Sequence, residues 1–404
     1  MRTLLPVLVA CIVAVTAAQA DSLNIRTIGS YDTPDIAYGL TVVGNYAYVA
    51  DYGSGLRVID VSNPHSPFET GYYDTSDYAR GVAVSGNYAY VAYGYSGLRV
   101  VDISNPYSPV EVGACGMPDY AWGVVVSGNH AFVAAEDAGL QVVDVSNPHL
   151  PVIVGGCGTT SSAVGLAVAD SHAYVAALGA GLRVIDVSNL SDPVEVGSYV
   201  PSDIAYSVAV SGSYAYVGNY DGLRIVDVSN PSSPVEVDSF STAMAVMGVA
   251  ITGNRAWLGN ENGGIRVLDV ANPAAPVELG YYGDAGGYGM VVSGSYAYAA
   301  SWSSGLRIYE YYGAGVEEGS TLHASRSTLY AGPTVVRGVL ELAPASSHKP
   351  QAASCLLDAA GRRVAELHPG PNDVSRLEAG VYFVRGPGAG VRGRGDVRKV
   401  VITR

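Results

Sequence analysis

Positive charge is scarce in most of this 404-residue sequence. Its two lysines, Lys349 and Lys399, both lie near the C-terminus. Residues 319–404 hold 12 basic and 6 acidic residues, which leaves 10 basic and 30 acidic residues before them, so the two parts have formal charges of +6 and −20. Because an acidic surface repels phosphate, nucleic acid is excluded as the default partner. The contrast in charge predicts two domains of different character.

Phenylalanine, charge and long apolar runs are also scarce. The chain has 4 Phe beside 30 Tyr and 50 Gly, and charged residues make up only 14% of it. So little charge excludes a disordered chain, while tyrosine and frequent glycine turns indicate a many-stranded protein with few helices. Beyond the N-terminus no run approaches the ~20 apolar residues of a membrane helix, so no transmembrane segment is expected.

The N-terminus has the three regions of a secretory signal peptide. Arg2 precedes the apolar run Leu4–Val15, and Ala18–Ala20 is a small-x-small cleavage sequence. Leu8-Val9-Ala10-Cys11 resembles a lipoprotein cleavage sequence, but Cys11 lies inside the apolar run, which favours the signal peptide. We therefore interpret residues 1–20 as a signal peptide and expect the protein to be exported.

A repeat of 41 or 42 residues decides the predicted fold. The sequence Gly-Leu-Arg-Val-Ile-Asp begins at Gly55 and recurs in related form six times. The seven copies begin at Gly55, Gly97, Gly139, Gly181, Gly222, Gly264 and Gly305. A period of about 40–50 residues with several short strands per copy is typical of a β-propeller, in which each copy forms one blade. The sequence thus predicts an all-β protein with a seven-bladed propeller.

Each copy divides into four segments that read as strands. In the second copy these are Gly81–Ser85, Tyr88–Ala92, Leu98–Ile103 and Val110–Gly113. The segment Ile25–Tyr31 reads as an outer strand without a copy before it, whereas the seventh copy lacks an outer strand. We therefore predict that this segment completes the seventh blade and closes the ring, which protects the blade edges.

The recurring sequence Leu-Arg-Val-Ile-Asp-Val-Ser-Asn-Pro, first seen at Leu56–Pro64, resembles the repeat of the LVIVD-repeat family of bacterial secreted proteins. The resemblance covers about residues 24–312. It implies a propeller-like fold and a secreted or cell-surface location, and it implies no single activity. We assign residues 21–312 to the propeller.

Several residue types recur at fixed places in the copies. We expect the arginine of the third strand to pair with blade carboxylates. We expect the tyrosine pairs of the second strand to pack between blades. Cys115 and Cys157 stand at matching places in adjacent copies, and we expect them to be buried free thiols. A carboxylate ends the third strand of each copy, at Asp60, Asp102, Asp144, Asp186, Asp227, Asp269 and Glu310. Because a turn follows, we interpret it as a turn-closing acceptor. Such a ring would also suit calcium, but no specific motif supports one, so we predict no cofactor.

The copies differ mainly on one face. Immediately before the inner-strand Gly or its equivalent stand Tyr38, Arg80, Trp122, Val164, Tyr206, Met247 and Tyr288. Three residues earlier, four copies have an aspartate: Asp35, Asp77, Asp119 and Asp203. The loop between the second and third strands varies as well, and it contributes Asp51, Tyr52, Tyr93, Tyr95, Glu136, Asp137, Tyr220, Asp221, Asn260, Glu261 and Trp302. By strand polarity both segments belong to the same face, around the mouth of the central channel.

A funnel rich in aromatic residues and carboxylates predicts a binding site for an extracellular glycan or protein. Two alternatives stay open. The aromatic residues plug the channel of a structural spacer, or paired carboxylates such as Asp35 and Asp77 perform acid–base chemistry in a carbohydrate-active hydrolase or lyase. The sequence contains no nucleophile elbow, HExxH motif, P-loop or dinucleotide fingerprint, so binding is our main interpretation and catalysis is the alternative.

The C-terminal part reads as a separate module. We interpret residues 313–319 as a linker and residues 320–404 as a small β-sandwich, with strands at Val335–Leu342, Ala353–Leu357, Arg363–Leu367, Gly380–Arg385 and Val397–Thr403. Three motifs, Leu357–Val364, Gly380–Arg385 and Arg398–Arg404, resemble the C-terminal sorting domain of type IX secretion cargo. The resemblance implies passage through outer-membrane secretion machinery, followed by release or attachment at the cell surface.

Overall fold

The computed structural model describes residues 22–313, except 75, 76, 262, 284 and 285, together with seven short strands of the C-terminal part. The predicted signal peptide lies outside the described residues, and so does the predicted linker apart from Gly313. In the part of the chain that the structure describes, no helix has the length and apolar character to cross a membrane.

The described strands follow the repeat. Before the first blade come β1 (Ser22–Leu23) and β2 (Ile25–Tyr31). The first three blades contain β3 (Gly39–Val43), β4 (Tyr46–Ala50), β5 (Leu56–Asp60) and β6 (Phe68–Tyr73); β7 (Ala79–Ser85), β8 (Tyr88–Tyr93), β9 (Gly97–Asp102) and β10 (Val110–Cys115); and β11 (Gly123–Ser127), β12 (His130–Ala134), β13 (Leu140–Asp144) and β14 (Val152–Cys157).

The last four blades continue the pattern. They contain β15 (Gly165–Ala169), β16 (His172–Ala176), β17 (Leu182–Asp186) and β18 (Val194–Tyr199); β19 (Ala205–Ser211), β20 (Tyr214–Asn219), β21 (Gly222–Asp227) and β22 (Val235–Ser241); β23 (Val246–Thr252), β24 (Arg255–Asn260), β25 (Gly264–Asp269) and β26 (Val277–Tyr282); and β27 (Gly289–Ser293), β28 (Tyr296–Ala300) and β29 (Leu306–Tyr311).

The blades are antiparallel sheets whose strands pair in chain order from the axis outward. Each inner strand also contacts the inner strands of both neighbouring blades, so the seven blades close into a ring. β2 pairs with β29, with Ile25 opposite Tyr311 and Tyr31 opposite Leu306, and supplies the outer strand of the seventh blade. The predicted seven-bladed propeller, its four strands per blade and its closure by Ile25–Tyr31 are confirmed.

β1 was not predicted, and it adds a fifth strand to the sixth blade by pairing with β26. Elsewhere the outer strand packs against the Ser-Asn-Pro turn of the next blade so closely that a Cβ at Gly113 would lie 2.1 Å from the backbone oxygen of Pro148. The seventh blade has no such turn after β29. The backbone oxygen of Leu23 lies there instead, 2.4 Å from a Cβ built at Gly280, so the N-terminal segment replaces the missing turn.

The core is divided among the blade interfaces. The described residues of the propeller form seven clusters of buried apolar side chains, each drawn from two neighbouring blades. Tyr48, for example, packs with Ala89 and Val101 of the next blade, which confirms the predicted packing of the tyrosine pairs. Cys115 and Cys157 are free cysteines as predicted, but they are only half-buried. The stability of each blade therefore depends on its neighbours.

The carboxylates that end the third strands close turns, as predicted. In six blades the aspartate Oδ1 accepts the backbone N–H two residues later at 2.8 Å, at Asp60, Asp102, Asp144, Asp186, Asp227 and Asp269. Hydrogen bonds from the side chain and the backbone N–H of the serine two residues later hold the pKa of four of these carboxyls below its usual value. The four pairs are Asp102 with Ser104, Asp144 with Ser146, Asp186 with Ser188, and Asp227 with Ser229. The ring of carboxylates is thus a repeated turn device.

Arginines of the third strands pair with carboxylates in five blades, also as predicted. The pairs include Arg57 with Glu69, Arg99 with Glu111, Arg183 with Glu195, Arg224 with Glu236, and Arg266 with Glu278. The third blade has Gln141 in this place, and its side chain donates instead to the backbone oxygen of Ala138 at 2.9 Å. The pairs join the third strand to the outer strand of the same blade.

The C-terminal part is described through its strands alone, β30 (Thr334–Val336), β31 (Val339–Leu342), β32 (Ser354–Leu357), β33 (Arg363–Leu367), β34 (Gly370–Asp373), β35 (Gly380–Arg385) and β36 (Val397–Ile402). Five of them form a sheet in the order β30-β36-β35-β32-β33, and β31 pairs with β34. β34 was missed because Gly-Pro-Asn-Asp reads as a turn. The β-sandwich and its sorting role rest largely on residues outside the described ones, and both stay predictions.

Candidate functional site at the funnel face

The two variable segments of the repeat lie side by side, as strand polarity predicts. The loop after the second strand forms a single β-bridge with the segment that precedes the inner strand of the next blade. These bridges join Tyr52 to Ala79, Gly94 to Ala121, Glu136 to Ala163, Leu178 to Ala205, and Trp302 to Ala37. Residues from neighbouring blades are thereby brought to one end of the ring axis, which we call the funnel.

The funnel contains a cavity of about 510 Å³. The residue before the inner-strand glycine or its equivalent lines it in every blade: Tyr38, Arg80, Trp122, Val164, Tyr206, Met247 and Tyr288. A glycine commonly follows this residue because neighbouring inner strands approach closely. A Cβ at Gly39, for instance, would lie 2.6 Å from the backbone oxygen of Arg80. The cavity at the channel mouth is lined mostly by apolar and aromatic side chains.

An aromatic cluster occupies the side of the funnel where the ring closes. The ring centroid of Tyr38 lies 5.2 Å from that of Trp302 and 5.5 Å from that of Tyr288, and Trp302 and Tyr288 are 4.7 Å apart. Tyr52 extends the cluster outward and stacks on Tyr78, with centroids 4.1 Å apart. Trp302 keeps 39% of its surface exposed, so the cluster offers ring faces to a ligand.

Arg80 is held in a cage of aromatic rings. Its guanidinium carbon lies 4.1 Å from the ring centroid of Tyr38, 4.3 Å from that of Trp122, and 4.8 Å and 5.6 Å from those of Tyr52 and Tyr120. Its Nε donates to the hydroxyl of Tyr120 at 3.0 Å. All four rings are within the range of cation–π attraction, so the cation has a fixed place in the funnel wall.

The four predicted aspartates do not line the cavity. Their carboxylates hold loop backbone instead: Asp35 accepts the N–H of Gly53, Asp77 that of Ser96, Asp119 that of Asp137, and Asp203 that of Ile204. Asp35 and Asp77, the pair considered for acid–base chemistry, thus fix the loops between the second and third strands.

Two other acidic groups face the funnel aromatics. Burial raises the pKa of Glu136, and the negative charges of Asp119 and Asp137 raise it further, while Trp122 and Arg80 lower it. The hydroxyl of Tyr288 donates to Glu261 at 3.5 Å. Burial and this carboxylate together raise the pKa of Tyr288 to about 12, so that it stays protonated at physiological pH. Neither carboxylate is among the residues that line the cavity, but Glu261 accepts a hydrogen bond from Tyr288, which does line it.

Strained backbone marks the same place in four blades. Tyr52, Glu136, Leu178 and Trp302 have φ values of 42°, 40°, 34° and 53°, a region that costs a side chain roughly 1–2 kcal/mol. The second blade has Gly94 at this position, with φ 45° and no such cost. Two of these four side chains, Leu178 and Trp302, line the cavity.

Sequence reasoning missed three members of the site. Tyr120, which completes the cage around Arg80, precedes the inner strand by three residues, and Tyr78 stands at the same position one blade earlier. Leu178 lines the cavity from the strained loop position. The position of Tyr78 and Tyr120 varies among the copies, which have Ile36, Ser162, Ile204, Ala245 and Gly286 there, and this variation was a usable signal. Among the described residues, no group of three or more His, Cys, Asp or Glu side chains is arranged to hold a metal ion.

The fold and the cavity define a seven-bladed β-propeller with a cavity at the variable end of its axis. The family model of the LVIVD repeat matches residues 36–75, 76–116, 118–159, 161–200, 204–242, 245–284 and 286–309. The chain therefore belongs to the LVIVD-repeat family, as its recurring sequence indicated.

Comparison with other proteins adds support for the fold alone. The crystal structure of the computationally designed Ika8 protein matches 70% of this chain and 98% of its own, with a TM-score of 0.54 and 11% sequence identity. At this identity the likeness concerns architecture and carries nothing about ligands. No curated protein matches the chain.

Proposed function

We propose that the protein is an exported binding protein that takes part of an extracellular glycan or protein into the funnel cavity. The observation that carries this proposal is the lining of the cavity. The seven blades repeat the same strand framework. The residue that each blade contributes before its inner-strand glycine or equivalent differs between most blades, and it is aromatic in four of them. A structural spacer gains nothing from such variation, whereas a binding site requires it.

The strained loop position supports the same function. Trp302 keeps a large, partly exposed indole at a φ of 53°, where glycine would be cheaper. Loss of the indole would release backbone strain and would remove one stacking surface. Its effects on stability and on binding are therefore expected to differ, which makes Trp302 the most informative residue to change.

Trp302→Gly is expected to abolish ligand binding with little loss of stability. Relief of strain offsets part of the lost packing, so the free energy of unfolding should change by no more than about 1 kcal/mol. The full-length protein would be applied to a glycan array and to a peptide array, and its melting temperature would be measured in parallel. We expect wild type to bind one of the arrays and the variant to lose that signal.

The matched control is Asp170→Gly. Asp170 has a φ of 51° in the turn between β15 and β16, at the end of the blade opposite the funnel. The substitution relieves the same kind of strain and should leave binding unchanged. Equal binding by wild type and both variants would contradict a funnel site, and a wild type that binds neither array would contradict the proposed function.

We further propose that residues 320–404 direct the protein through outer-membrane secretion machinery. The support comes from the three sequence motifs that resemble the type IX sorting domain. Deletion of residues 320–404 is expected to retain the protein in the periplasm of the cell that produces it, and immunoblots of periplasmic and extracellular fractions measure this. Export of the truncated chain at the wild-type level would refute the sorting role.

A further inference from the structure

Basic side chains in the described propeller are few, and nearly all serve the blades. Of the nine arginines in residues 22–313, six form ion pairs: Arg26, Arg57, Arg99, Arg183, Arg224 and Arg266. Arg80 takes part in none of the ion pairs found among the described residues. It is also the one basic residue among those that line the cavity in this part of the chain.

The surroundings of Arg80 position its charge through aromatic rings and a hydroxyl group. Aromatic rings lie 4.1 Å to 5.6 Å from its guanidinium carbon, and a tyrosine hydroxyl accepts from Nε. Of the five N–H donors of a guanidinium, one is thus used by the described protein. The terminal nitrogens form the planar fork that binds a carboxylate through two parallel hydrogen bonds. A caged arginine of this kind is pre-organised for an anionic group.

We propose, building on the binding function above, that the funnel takes an acidic sugar and that Arg80 binds its carboxylate. The ligand is a uronic or sialic acid residue of an extracellular glycan. The sugar ring packs against Trp302 and Tyr288, the exposed and half-buried members of the aromatic cluster. Glu136 and Glu261 accept hydrogen bonds from its hydroxyl groups.

The charge distribution favours one carboxylate over a dense polyanion. Residues 1–318 carry a formal charge of −20, which repels a heavily sulfated chain, and the cavity lining in the described residues offers a single cation. The lining also favours a sugar over a peptide. Rings and apolar side chains dominate it, whereas a buried peptide backbone would need a partner for each N–H and C=O group.

The test uses one glycan array with two matched pairs of oligosaccharides. One pair ends in glucuronate or in glucose, and the other ends in sialic acid or in galactose. The array also carries neutral, sulfated and methyl-esterified glycans. The full-length protein is expected to prefer each acid to its neutral partner at least tenfold, and methyl esterification of the carboxylates should remove that preference. Arg80→Met should weaken binding of the acid by about 30-fold or more, as when one partner of a buried charge pair is lost. Arg80→Lys should restore part of the affinity, because it returns the charge without the planar fork.

Arg255→Met is the matched control. The guanidinium carbon of Arg255 also lies over a tyrosine ring, 4.6 Å from the centroid of Tyr311, but it begins β24 at the end of the blade opposite the funnel. This variant should bind as wild type does, and melting temperatures show whether each variant is folded.

The outcomes separate this proposal from the binding function. Binding of neutral or sulfated glycans, or of peptides, that Trp302→Gly removes and Arg80→Met leaves intact would overturn the acidic-sugar ligand and retain the funnel as a site. Equal binding of the acids and their methyl esters would overturn it as well. A wild type that binds neither glycans nor peptides would overturn both proposals.

Discussion

Ile25→Asp is expected to destabilise the whole propeller by at least about 4 kcal/mol, because it removes a buried side chain and places a carboxylate in an apolar site. Ile25 is fully buried in a cluster with Trp257 and Tyr309, at the junction between the sixth and seventh blades. It also begins β2, the strand that closes the ring. Loss of the Ile25 side chain therefore weakens both the packing between the sixth and seventh blades and the strand that closes the ring.

The melting temperature and the urea midpoint of the full chain measure this effect. Ile25→Ala provides a milder form of the same change and should cost roughly 2–5 kcal/mol. Ser30→Asp is the control, since Ser30 is exposed on the same strand and its substitution should change the free energy of unfolding by no more than about 0.5 kcal/mol. Similar losses in the Ile25 and Ser30 variants would show that β2 contributes through strand propensity and not through closure of the core.

Arg57→Met should destabilise the protein by about 3–5 kcal/mol, because it leaves buried carboxylates without a counter-charge. The Arg57 side chain is 8% exposed, and its nitrogens lie 3.9 Å from Asp51 and 3.7 Å from Glu69. Asp51 is itself completely buried, and its Oδ1 accepts from the hydroxyl of Thr33 at 2.6 Å. A methionine keeps the packing volume of the arginine stem and removes only the charge and its donors.

The loss should depend on pH in a defined direction. Burial raises the pKa of Asp51 and of Glu69, and Arg57 opposes this rise in both groups. Without Arg57 their folded-state pKa values move further above those of the unfolded chain. A group with a raised folded pKa favours the folded state while it is protonated and loses this contribution as the pH rises. The variant should therefore be nearest to wild type near about pH 4 and should fall further behind it toward pH 7.

Arg99→Met serves as the comparison, and urea denaturation at several pH values measures both variants. Arg99 pairs with Glu111 at 3.1 Å, and both side chains are 28% exposed. A pair that is partly solvated should cost about 1 kcal/mol or less when it is broken. Equal losses in the two variants, or a defect of Arg57→Met that is independent of pH, would refute the role of Arg57 as the counter-charge of a buried carboxylate.

The accuracy of the sequence-based predictions differs between framework and site. The seven glycines spaced by 41 or 42 residues were sufficient for the blade number, because each copy is one supersecondary unit. The alignment of the copies also predicted the residue that precedes each inner strand, and the structure brings all seven of these to one cavity. The place of the strand Ile25–Tyr31 was predictable for a related reason. The sequence has one outer strand before the first copy and no outer strand after the seventh, so the first can fill the place of the second.

Contacts between blades were harder to predict. Asp35, Asp77, Asp119 and Asp203 each stand three residues before a residue that lines the cavity, yet their carboxylates accept backbone N–H groups and do not line it. The pairing of β1 with the sixth blade depends on a gap left by a turn that the seventh blade lacks. Neither the contacts of these aspartates nor the pairing of β1 can be predicted from the sequence of a single repeat.

The sequence by itself determined the class of this protein. Its period sets the blade number, its strand pattern sets the topology, and its family follows from the recurring Leu-Arg-Val-Ile-Asp-Val-Ser-Asn-Pro. These features are local, so they can be read from one copy and counted along the chain. Only the tertiary structure decided what the variable residues do. Tyr38, Arg80 and Trp122 belong to three different blades, and their meeting at distances of 4.1 Å and 4.3 Å follows from the close approach of inner strands at the ring axis.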